Sequence, residues 1–528
     1  MLGLEVVVIL GVVLVLAHTA ARRFRVAPPV LLLITGLLLG FVPALRDVSL
    51  PPEVVLLLFL PVLLYWESLT TSLREIRSNL RAIISMSTAL VVLTAWAVAA
   101  VAHALGISWG PAWVLGAAVA PTDATAVGVL ARMLPHRNVT LLRAESLVND
   151  GTALVVYSVA VGVTVGQEHL SWPHVSLLFA LSYGGGLAIG AAVAWAGVQV
   201  RRRLMDPLLE NTAIITIAFT AYLLAELAHA SGVLAVVVCG LVMSQAGPKV
   251  GQAAGRRQTA AFWSLVTFLL NGALFVVVGM YAQAAVRQLT STDRATAAIT
   301  VGVVTAAVIG TRFAWLFTSP YLIRALDRRP QQRLRRMGAR PRIVMATAGF
   351  RGAVSLALAL SVPERLDSGG PFPDRDMIVF VTCGVILITL VVQGLALPGV
   401  VRWADLPLDT ALSDERRLAQ AHASQQALKQ LPRLAAELGT EEEVLHRVQE
   451  EFEEHLAYVR ADAGEEADDA AVRHAEQYTA LRLAAINHKR ATILGLRDEH
   501  RIDDTVLRQL QAALDLEEMR LYGLEEFE

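Results

Sequence analysis

The chain has 528 residues, of which 55% are hydrophobic and 17% charged, with a mean hydropathy of +0.54. A water-soluble domain carries about 25% charged residues, so this composition excludes a fully soluble globular protein. The net charge of −1 hides two unlike parts, since Asp405 and the residues after it hold 28 acids and 14 bases, against 18 acids and 31 bases before. A basic, apolar body followed by an acidic tail indicates two domains in two solvents.

Apolar runs recur along the first 402 residues. A helix needs roughly 20 apolar residues to cross a bilayer, and fewer when it is broken or embedded. Thirteen spans are predicted in chain order, at 3–20, 28–43, 53–69, 81–104, 112–134, 141–165, 173–200, 210–228, 231–246, 260–285, 295–323, 342–362 and 376–402. The sequence therefore predicts an all-α polytopic membrane protein, with a transmembrane domain at 1–402 and a tail at 403–528.

The basic residues favour every second loop between these spans. The rich loops lie at 22–25, 74–81, 132–137, 201–203, 249–257 and 324–342. The alternate loops hold Arg46, Arg287, Arg294, Arg365 and Arg375. Because positive charge marks the cytoplasmic side, we expect the N-terminus outside and the tail inside the plasma (inner) membrane.

The tail has helical periodicity without an apolar run of membrane length. Three helical stretches are predicted: the first ends at Tyr458, the second covers roughly 467–499, and the third follows Asp503 or Asp504. A regulatory domain and a helical domain with another purpose are both compatible with this pattern, and the sequence does not identify a partner for the tail.

Several ionisable residues fall inside the predicted spans. A charge at membrane depth is costly, so each one indicates function by default. They are Glu67, Asp123, Glu145, Asp150, Glu226, Arg312 and Arg351. The sequence has no Gly-x4-Gly-Lys-Ser/Thr loop for nucleotide phosphates, so we expect that ATP is not the energy source. We predict a transporter and not an enzyme, with no cofactor and no nucleic-acid partner.

The fifth span contains Ala120-Pro-Thr-Asp-Ala-Thr-Ala-Val127. Pro121 cannot donate a backbone hydrogen bond, so a helix break is expected beside Thr122 and Asp123. Unwound backbone at membrane depth is tolerated where it lines a cavity or is covered by protein. Carbonyl, hydroxyl and carboxylate oxygens suit a small cation that sheds its water. A proline kink with Asp123 capping the next half-helix is the alternative.

The sixth span carries two acids in the run Glu145-Ser-Leu-Val-Asn-Asp150. Glu145 and Asn149 are four apart on one helix face, as are Ser146 and Asp150 on another. Two acids in one apolar helix cannot both stay ionised and unpaired. One of them therefore needs a basic partner, or one binds a cation and a proton in turn.

Arg312 and Arg351 supply positive charge within the eleventh and twelfth spans. The glycines at 349 and 352 flank Arg351 and predict a second interrupted helix. Paired discontinuous helices in the two halves of a transporter indicate a binding site near the bilayer midplane. The alternative for both arginines is that their side chains reach the membrane interface.

Three segments resemble the signature motifs of the monovalent cation:proton antiporters. They are Ala120–Val127, Glu145–Thr152 and Gly349–Leu356. The similarity covers 1–402 and is to the NhaP-type sodium/proton antiporters, which are related to animal sodium/proton exchangers; the tail resembles that of bacterial members with a cytoplasmic extension. This resemblance implies an inverted-repeat fold of thirteen helices, two of them crossed and discontinuous, with a core bundle moving against a dimerisation domain in a homodimer.

The resemblance also implies a binding site. Asp150 would be the main carboxylate for cation and proton, with Asp123, Thr122 and Ser146 completing the site for the transported metal ion. Asn149 stands where electrogenic relatives carry a second acid, which implies one proton per cation and no net charge moved.

Four further charged residues receive supporting roles, or none, from the same resemblance. Glu145 and Arg312 would form a structural ion pair, and Arg351 would balance the negative helix ends at the crossing. Glu67 follows a segment that only approximates the family pattern, so no role is assigned to it.

The function predicted from these residues is electroneutral exchange of Na⁺ for H⁺. Burial disfavours the charged form of Asp150, so either a proton or a cation neutralises it as the core alternates its access. The same oxygen ligands serve K⁺ and Li⁺, and K⁺/H⁺ exchange therefore stays open. A cation channel with a regulatory tail is a more distant alternative.

Overall fold

The computed structural model describes residues 2–24, 26–43, 55–123, 134–166, 172–204, 206–247, 253–288, 291–326, 338–406, 411–462 and 469–521. Within these ranges the regular structure is helical, apart from one isolated bridge between Arg365 and Pro371. The chain divides into two compact units, Met1–Leu408 and Asp409–Glu528.

The first unit contains sixteen described helices. In chain order, α1 to α16 are Leu2–Phe24, Pro28–Leu39, Leu60–Thr70, Leu73–Ile84, Leu90–Ala104, Trp109–Val119, His136–Val165, Trp172–Arg201, Pro207–Leu227, Gly232–Ala246, Ala253–Gln288, Ser291–Leu326, Ala339–Thr347, Ala353–Leu360, Arg375–Ile388 and Gly394–Ala404. Short π-helical turns at Val55–Phe59, Ser85–Ala89 and Thr389–Gln393 lead into α3, α5 and α16.

The lengths of these helices match a membrane protein. Eight described helical runs are long and apolar enough to cross a membrane. Four shorter apolar runs are Pro28–Leu39, Leu57–Thr70, Trp109–Val119 and Gly232–Ala246, and α13 with α14 divides the predicted twelfth span in two. The predicted all-helical membrane fold is confirmed, whereas the number thirteen stays a prediction. The second half of the predicted fifth span, 124–133, lies outside the described residues.

The helices of the first unit pack in two groups. One group contains α5, α6, α7, α12 and α15, with α13 and α14 packed against it; the other contains α1, α2, α3, α8, α9, α10 and α11. Fully buried alanines such as Ala95, Ala99 and Ala117 lie in the core of the first group, because short side chains let membrane helices approach closely. Helices α3, α7, α11 and α14 meet where the two groups adjoin.

The second unit consists of four described helices. These are α17 (Ala411–Leu438), α18 (Glu442–Asp462), α19 (Asp469–Asp498) and α20 (Asp504–Leu521). The three helical stretches expected in the tail correspond to α18, α19 and α20, while α17 has no counterpart among those stretches. Ion pairs join α19 to α20, including Lys489 Nζ to Glu517 Oε2 at 3.4 Å. At the start of α20, a hydrogen bond from the Thr505 backbone N–H lowers the pKa of Asp503.

Candidate functional site

Two helices of the first unit end in non-helical stretches that meet. Helix α6 ends at Val119, two residues before Pro121, and the chain is non-helical from Pro121 to Asp123. Helix α13 ends at Thr347, and α14 begins at Ala353. The backbone N–H of Asp123 donates to the Phe350 carbonyl at 2.9 Å, so the two non-helical stretches contact each other directly.

Arg351 lies in this second break and is 1% exposed. Its Nε donates to the carbonyl of Val119, the last residue of α6, at 3.0 Å, and its Nη1 donates to the Gly349 carbonyl. Carbonyls at helix C-termini lack intrahelical partners and carry partial negative charge. The guanidinium group is therefore placed to stabilise the open C-terminal end of α6 and the non-helical stretch that follows α13.

Glu145 and Arg312 form a buried bidentate ion pair between α7 and α12. Arg312 Nη1 donates to Glu145 Oε1, and Nη2 donates to Oε2 at 3.1 Å. Arg312 Nε and Nη2 also donate to the Met345 carbonyl at 3.2 and 3.1 Å. Each residue is 1% exposed, and a buried pair needs such additional hydrogen bonds to offset the cost of desolvation.

Thr122 connects this ion pair to the next turn of α7. Its hydroxyl donates to Glu145 Oε1 at 3.1 Å and accepts a hydrogen bond of 2.7 Å from Asn149 Nδ2. The same Asn149 nitrogen also approaches the Thr122 carbonyl at 3.3 Å. Asn149 therefore holds the broken fifth span against α7, which is a task for an amide donor and not for a carboxylate.

A cavity of about 60 Å³ lies beside this network, where α3, α7, α11 and α14 meet. On this measure a water molecule needs roughly 10–15 Å³, so the space fits a few waters or one partly hydrated cation. Its polar lining residues are Glu67, Thr122, Asp123, Ser146, Asp150, Asn271 and Ser355. The other lining residues are mostly apolar, including Leu60, Leu64 and Leu274.

The cavity can hold a cation transiently, with its charge balanced by nearby carboxylates. Asp150 is 4% exposed and Ser146 is 6% exposed, both on α7. In the described part of the chain, no cluster of three acidic, histidine or cysteine side chains is close enough to hold a metal ion by itself. Any cation bound here would therefore need hydroxyl, carbonyl or water oxygens besides the carboxylates.

The structure brings most of the expected site residues together. Asp150, Asp123, Thr122 and Ser146 all line the cavity. The supporting residues Glu145, Arg312, Asn149 and Arg351 surround the crossing instead, as described above.

Three further residues line the cavity, namely Glu67, Asn271 and Ser355. The sequence marked Glu67 as a charge at membrane depth without assigning it a role, whereas it did not indicate Asn271 or Ser355. Asn271 interrupts an apolar stretch of α11, which is the signal that could have marked it. The placement of Glu226 deep within a span was wrong, because it lies in the last turn of α9 with an exposed side chain.

Comparisons with known proteins identify the family of this chain. A family model described as "Sodium/hydrogen exchanger, transmembrane" matches residues 9–403. An uncharacterised Na⁺/H⁺ exchanger from Mycobacterium tuberculosis is 45% identical over 98% of this chain and 96% of that protein. A sodium, potassium, lithium and rubidium/H⁺ antiporter from Bacillus pumilus is 29% identical over 78% of this chain and 64% of that protein.

The fold is also found in a solved structure. The sodium proton antiporter MjNhaP1 from Methanocaldococcus jannaschii superposes with a TM-score of 0.57 and 19% identity, covering 75% of this chain and 100% of that one. At this identity the likeness concerns the fold alone, while the family match covers nearly the whole first unit. The chain belongs to the sodium/hydrogen exchanger family.

Proposed function

We propose that this protein exchanges Na⁺ for H⁺ across the plasma membrane, one for one, with the two ions competing for Asp150. One observation carries this proposal. Arg312 and Arg351 donate side-chain hydrogen bonds to Glu145 and to the carbonyls of Met345, Val119 and Gly349. Asp150 therefore lines the cavity as an acid whose charge is left for an incoming ion to balance.

The electrostatics of the cavity explain why exchange is coupled. Glu67, Asp123 and Asp150 share one small space, and both burial and mutual repulsion disfavour a state with every carboxylate ionised and no cation present. A proton or a cation relieves this cost, and the two compete because each neutralises the same oxygen atoms. Movement of the empty, charged site across the membrane is disfavoured, so net uniport of either ion is slow.

Asn149 supports electroneutral exchange. It stands next to Asp150, is 1% exposed, and uses its amide group to hold Thr122. An amide does not titrate, so this position adds no second proton to the cycle. One proton leaving for each cation entering moves no net charge, and the exchange rate should not respond to membrane potential.

The central test replaces the shared carboxylate. In everted membrane vesicles that contain the full chain, addition of Na⁺ should release protons through the wild type and not through Asp150→Asn. Asp376→Asn is the matched control, because this exposed aspartate lies in the first turn of α15, away from the cavity. Proton release that survives in Asp150→Asn would exclude Asp150 as the shared site.

A potassium ion diffusion potential, imposed with valinomycin, tests the stoichiometry in the same vesicles with Na⁺ as the substrate. An unchanged initial rate is expected for one-for-one exchange. A rate that follows the potential would contradict electroneutrality and would leave antiport itself intact.

K⁺/H⁺ exchange is the second candidate, favoured by one observation. The name of the Bacillus pumilus relative includes sodium, potassium, lithium and rubidium, and oxygen ligands of the kind that line this cavity bind all four ions. A cation series at several pH values separates the two candidates. A channel, by contrast, would pass cations without counterflow of protons.

The orientation proposed has the N-terminus outside and the tail in the cytoplasm, as the arginine-rich loops indicate. It is testable with membrane-impermeant maleimide, since both native cysteines, Cys239 and Cys383, are buried. In intact cells Asp374→Cys should be labelled and Glu415→Cys should not. The homodimer implied by the family resemblance stays a prediction.

A further inference from the structure

Four buried hydroxyl residues of the first unit have no hydrogen-bond partner in the part of the chain that the structure describes, namely Tyr65, Tyr157, Ser355 and Thr382, and of these four Ser355 alone lines the cavity. It lines the cavity from the first turn of α14 and is 1% exposed. Its Oγ has no hydrogen-bond partner in the described part of the chain. A buried hydroxyl without a partner is unfavourable, so this group is a candidate to bind something that enters the cavity.

The helix break explains why the hydroxyl is available. Inside a helix, a serine or threonine hydroxyl usually donates to the carbonyl four residues earlier, as Ser87 does to Ile83 at 2.7 Å and Thr94 does to Leu90 at 2.7 Å. For Ser355 the corresponding carbonyl belongs to Arg351, which lies in the non-helical stretch before α14. Because Arg351 is not part of the helix, its carbonyl does not accept the hydrogen bond that Ser355 would otherwise donate. The Ser355 oxygen is therefore left without a partner in the lining of the cavity that Asp123 and Asp150 also line.

We propose that the Ser355 hydroxyl is a further ligand for the transported cation, bound directly or through one water molecule. This inference rests on the proposed function, because it concerns the same cavity. The cavity carboxylates do not form a closed cluster by themselves, so a neutral oxygen from α14, in the lining of the same cavity, improves the coordination without adding charge.

A hydroxyl suits both halves of the exchange cycle. Its lone pairs coordinate a cation in one state, and its O–H donates to a carboxylate oxygen, or its oxygen accepts from a protonated acid, in the other. Since α14 is one half of an interrupted helix, Ser355 is also placed to move together with the crossing. The residue therefore contributes to cation affinity and selectivity without itself carrying the exchanged proton.

Two substitutions test this role. Ser355→Ala removes the oxygen, and Ser355→Cys keeps nearly the same volume but offers a soft sulfur that hard cations bind poorly. Both should raise the apparent KM for Na⁺ by about 3- to 10-fold, the loss expected for one hydrogen-bond-strength contact. Both should also lower the preference for Na⁺ over K⁺, because the smaller ion depends more on close oxygen ligands to replace its water.

Ser361→Ala is the matched control. Ser361 follows the end of the same short helix, and its hydroxyl donates to the Ala357 carbonyl at 2.7 Å. This variant should keep the wild-type KM and selectivity. If Ser355→Ala raises KM and Ser355→Cys does not, packing explains the effect and the proposal is overturned.

Asp150→Asn, measured in the same vesicles, separates the two proposals. Wild-type affinity and selectivity in both Ser355 variants, with exchange abolished in Asp150→Asn, would overturn the role of Ser355 alone. Exchange that persists in Asp150→Asn would overturn the proposed function. A raised KM and an altered selectivity in both Ser355 variants support the ligand role.

Discussion

Gly352 lies so close to Asp123 that a side chain at this position would collide with the carboxylate. A Cβ atom on Gly352 would fall 1.8 Å from Asp123 Oδ2 and 2.6 Å from its Cγ. The neighbouring Gly349 is restricted in the same way, because a Cβ there would fall 2.5 Å from Arg312 Cδ. The two glycines that flank Arg351 therefore make room for the charged groups on either side of it.

Gly352→Ala should abolish or strongly reduce exchange, since Asp123 must leave its position to accommodate the added methyl group. We expect at least a tenfold loss of Na⁺-driven proton release in everted vesicles. Gly302→Ala in α12 is the control, because a Cβ at Gly302 meets nothing within 4 Å. Wild-type transport by Gly352→Ala would show that the position of Asp123 is not critical.

The Glu145–Arg312 pair should be essential for stability. Glu145→Gln leaves Arg312 buried without a charged partner, and breaking such a pair costs about 3–5 kcal/mol. In detergent, the temperature of thermal unfolding should be clearly lower for Glu145→Gln and for Arg312→Gln than for the wild type. Arg417→Gln in the tail should have little effect, because Arg417 pairs with Asp414 on an exposed surface.

A double variant distinguishes a paired role from two separate roles. Glu145→Leu combined with Arg312→Met replaces both charges by apolar groups of similar volume, and it should recover part of the stability lost in the single variants. If the stability loss of the double variant equals the sum of the losses of the two single variants, the pairing of Glu145 with Arg312 is contradicted.

Much of the site could be predicted because its residues belong to short, local motifs. Pro121 and the glycines around Arg351 are helix-breaking signals that act on their own neighbours in sequence. The four-residue spacing in α7 likewise fixes which side chains share a face. These features depend on the backbone nearby and not on how distant helices pack.

The remaining site residues depend on packing that the sequence does not specify. Helix α3 is apolar around most of its circumference, so periodicity cannot show which face Glu67 presents to α7. The same holds for Asn271 in the long helix α11. Ser355 was missed for a different reason, since its free hydroxyl follows from the residue at which α14 begins.

Asn149→Asp should weaken exchange by disturbing Thr122. The Asn149 amide donates to the Thr122 hydroxyl, which in turn donates to Glu145. An aspartate cannot donate, and Thr122 has one proton to share between two acids. We expect about a tenfold lower rate, the size of effect typical for a hydrogen bond to a charged group.

Thr122→Val provides the control for this effect. In the Thr122→Val background the substitution of Asn149 by aspartate should have a smaller additional effect, because the shared hydroxyl is already absent. Equal effects of Asn149→Asp with and without Thr122 would show that the two residues act independently.

Competition between Na⁺ and H⁺ predicts a specific dependence on pH. If both ions bind the Asp150 carboxylate, protons at the cytoplasmic side raise the apparent KM for Na⁺ and leave the maximal rate unchanged. Where protons occupy most of the sites, KM should rise about tenfold for each unit of falling pH, and at higher pH it should become constant. Initial rates in everted vesicles over a matrix of Na⁺ concentration and external pH give both parameters.

Asp376→Asn should show the same dependence as the wild type, because its exposed carboxylate lies outside the cavity. The same slope is expected with K⁺ wherever K⁺ is transported, since the competing proton is bound by the same oxygen atoms. A maximal rate that falls with pH at constant KM would mean that protons act elsewhere and that the cation does not compete for Asp150. Such a result would favour separate proton and cation sites, and the other cavity acids, Glu67 and Asp123, would then be the first residues to replace.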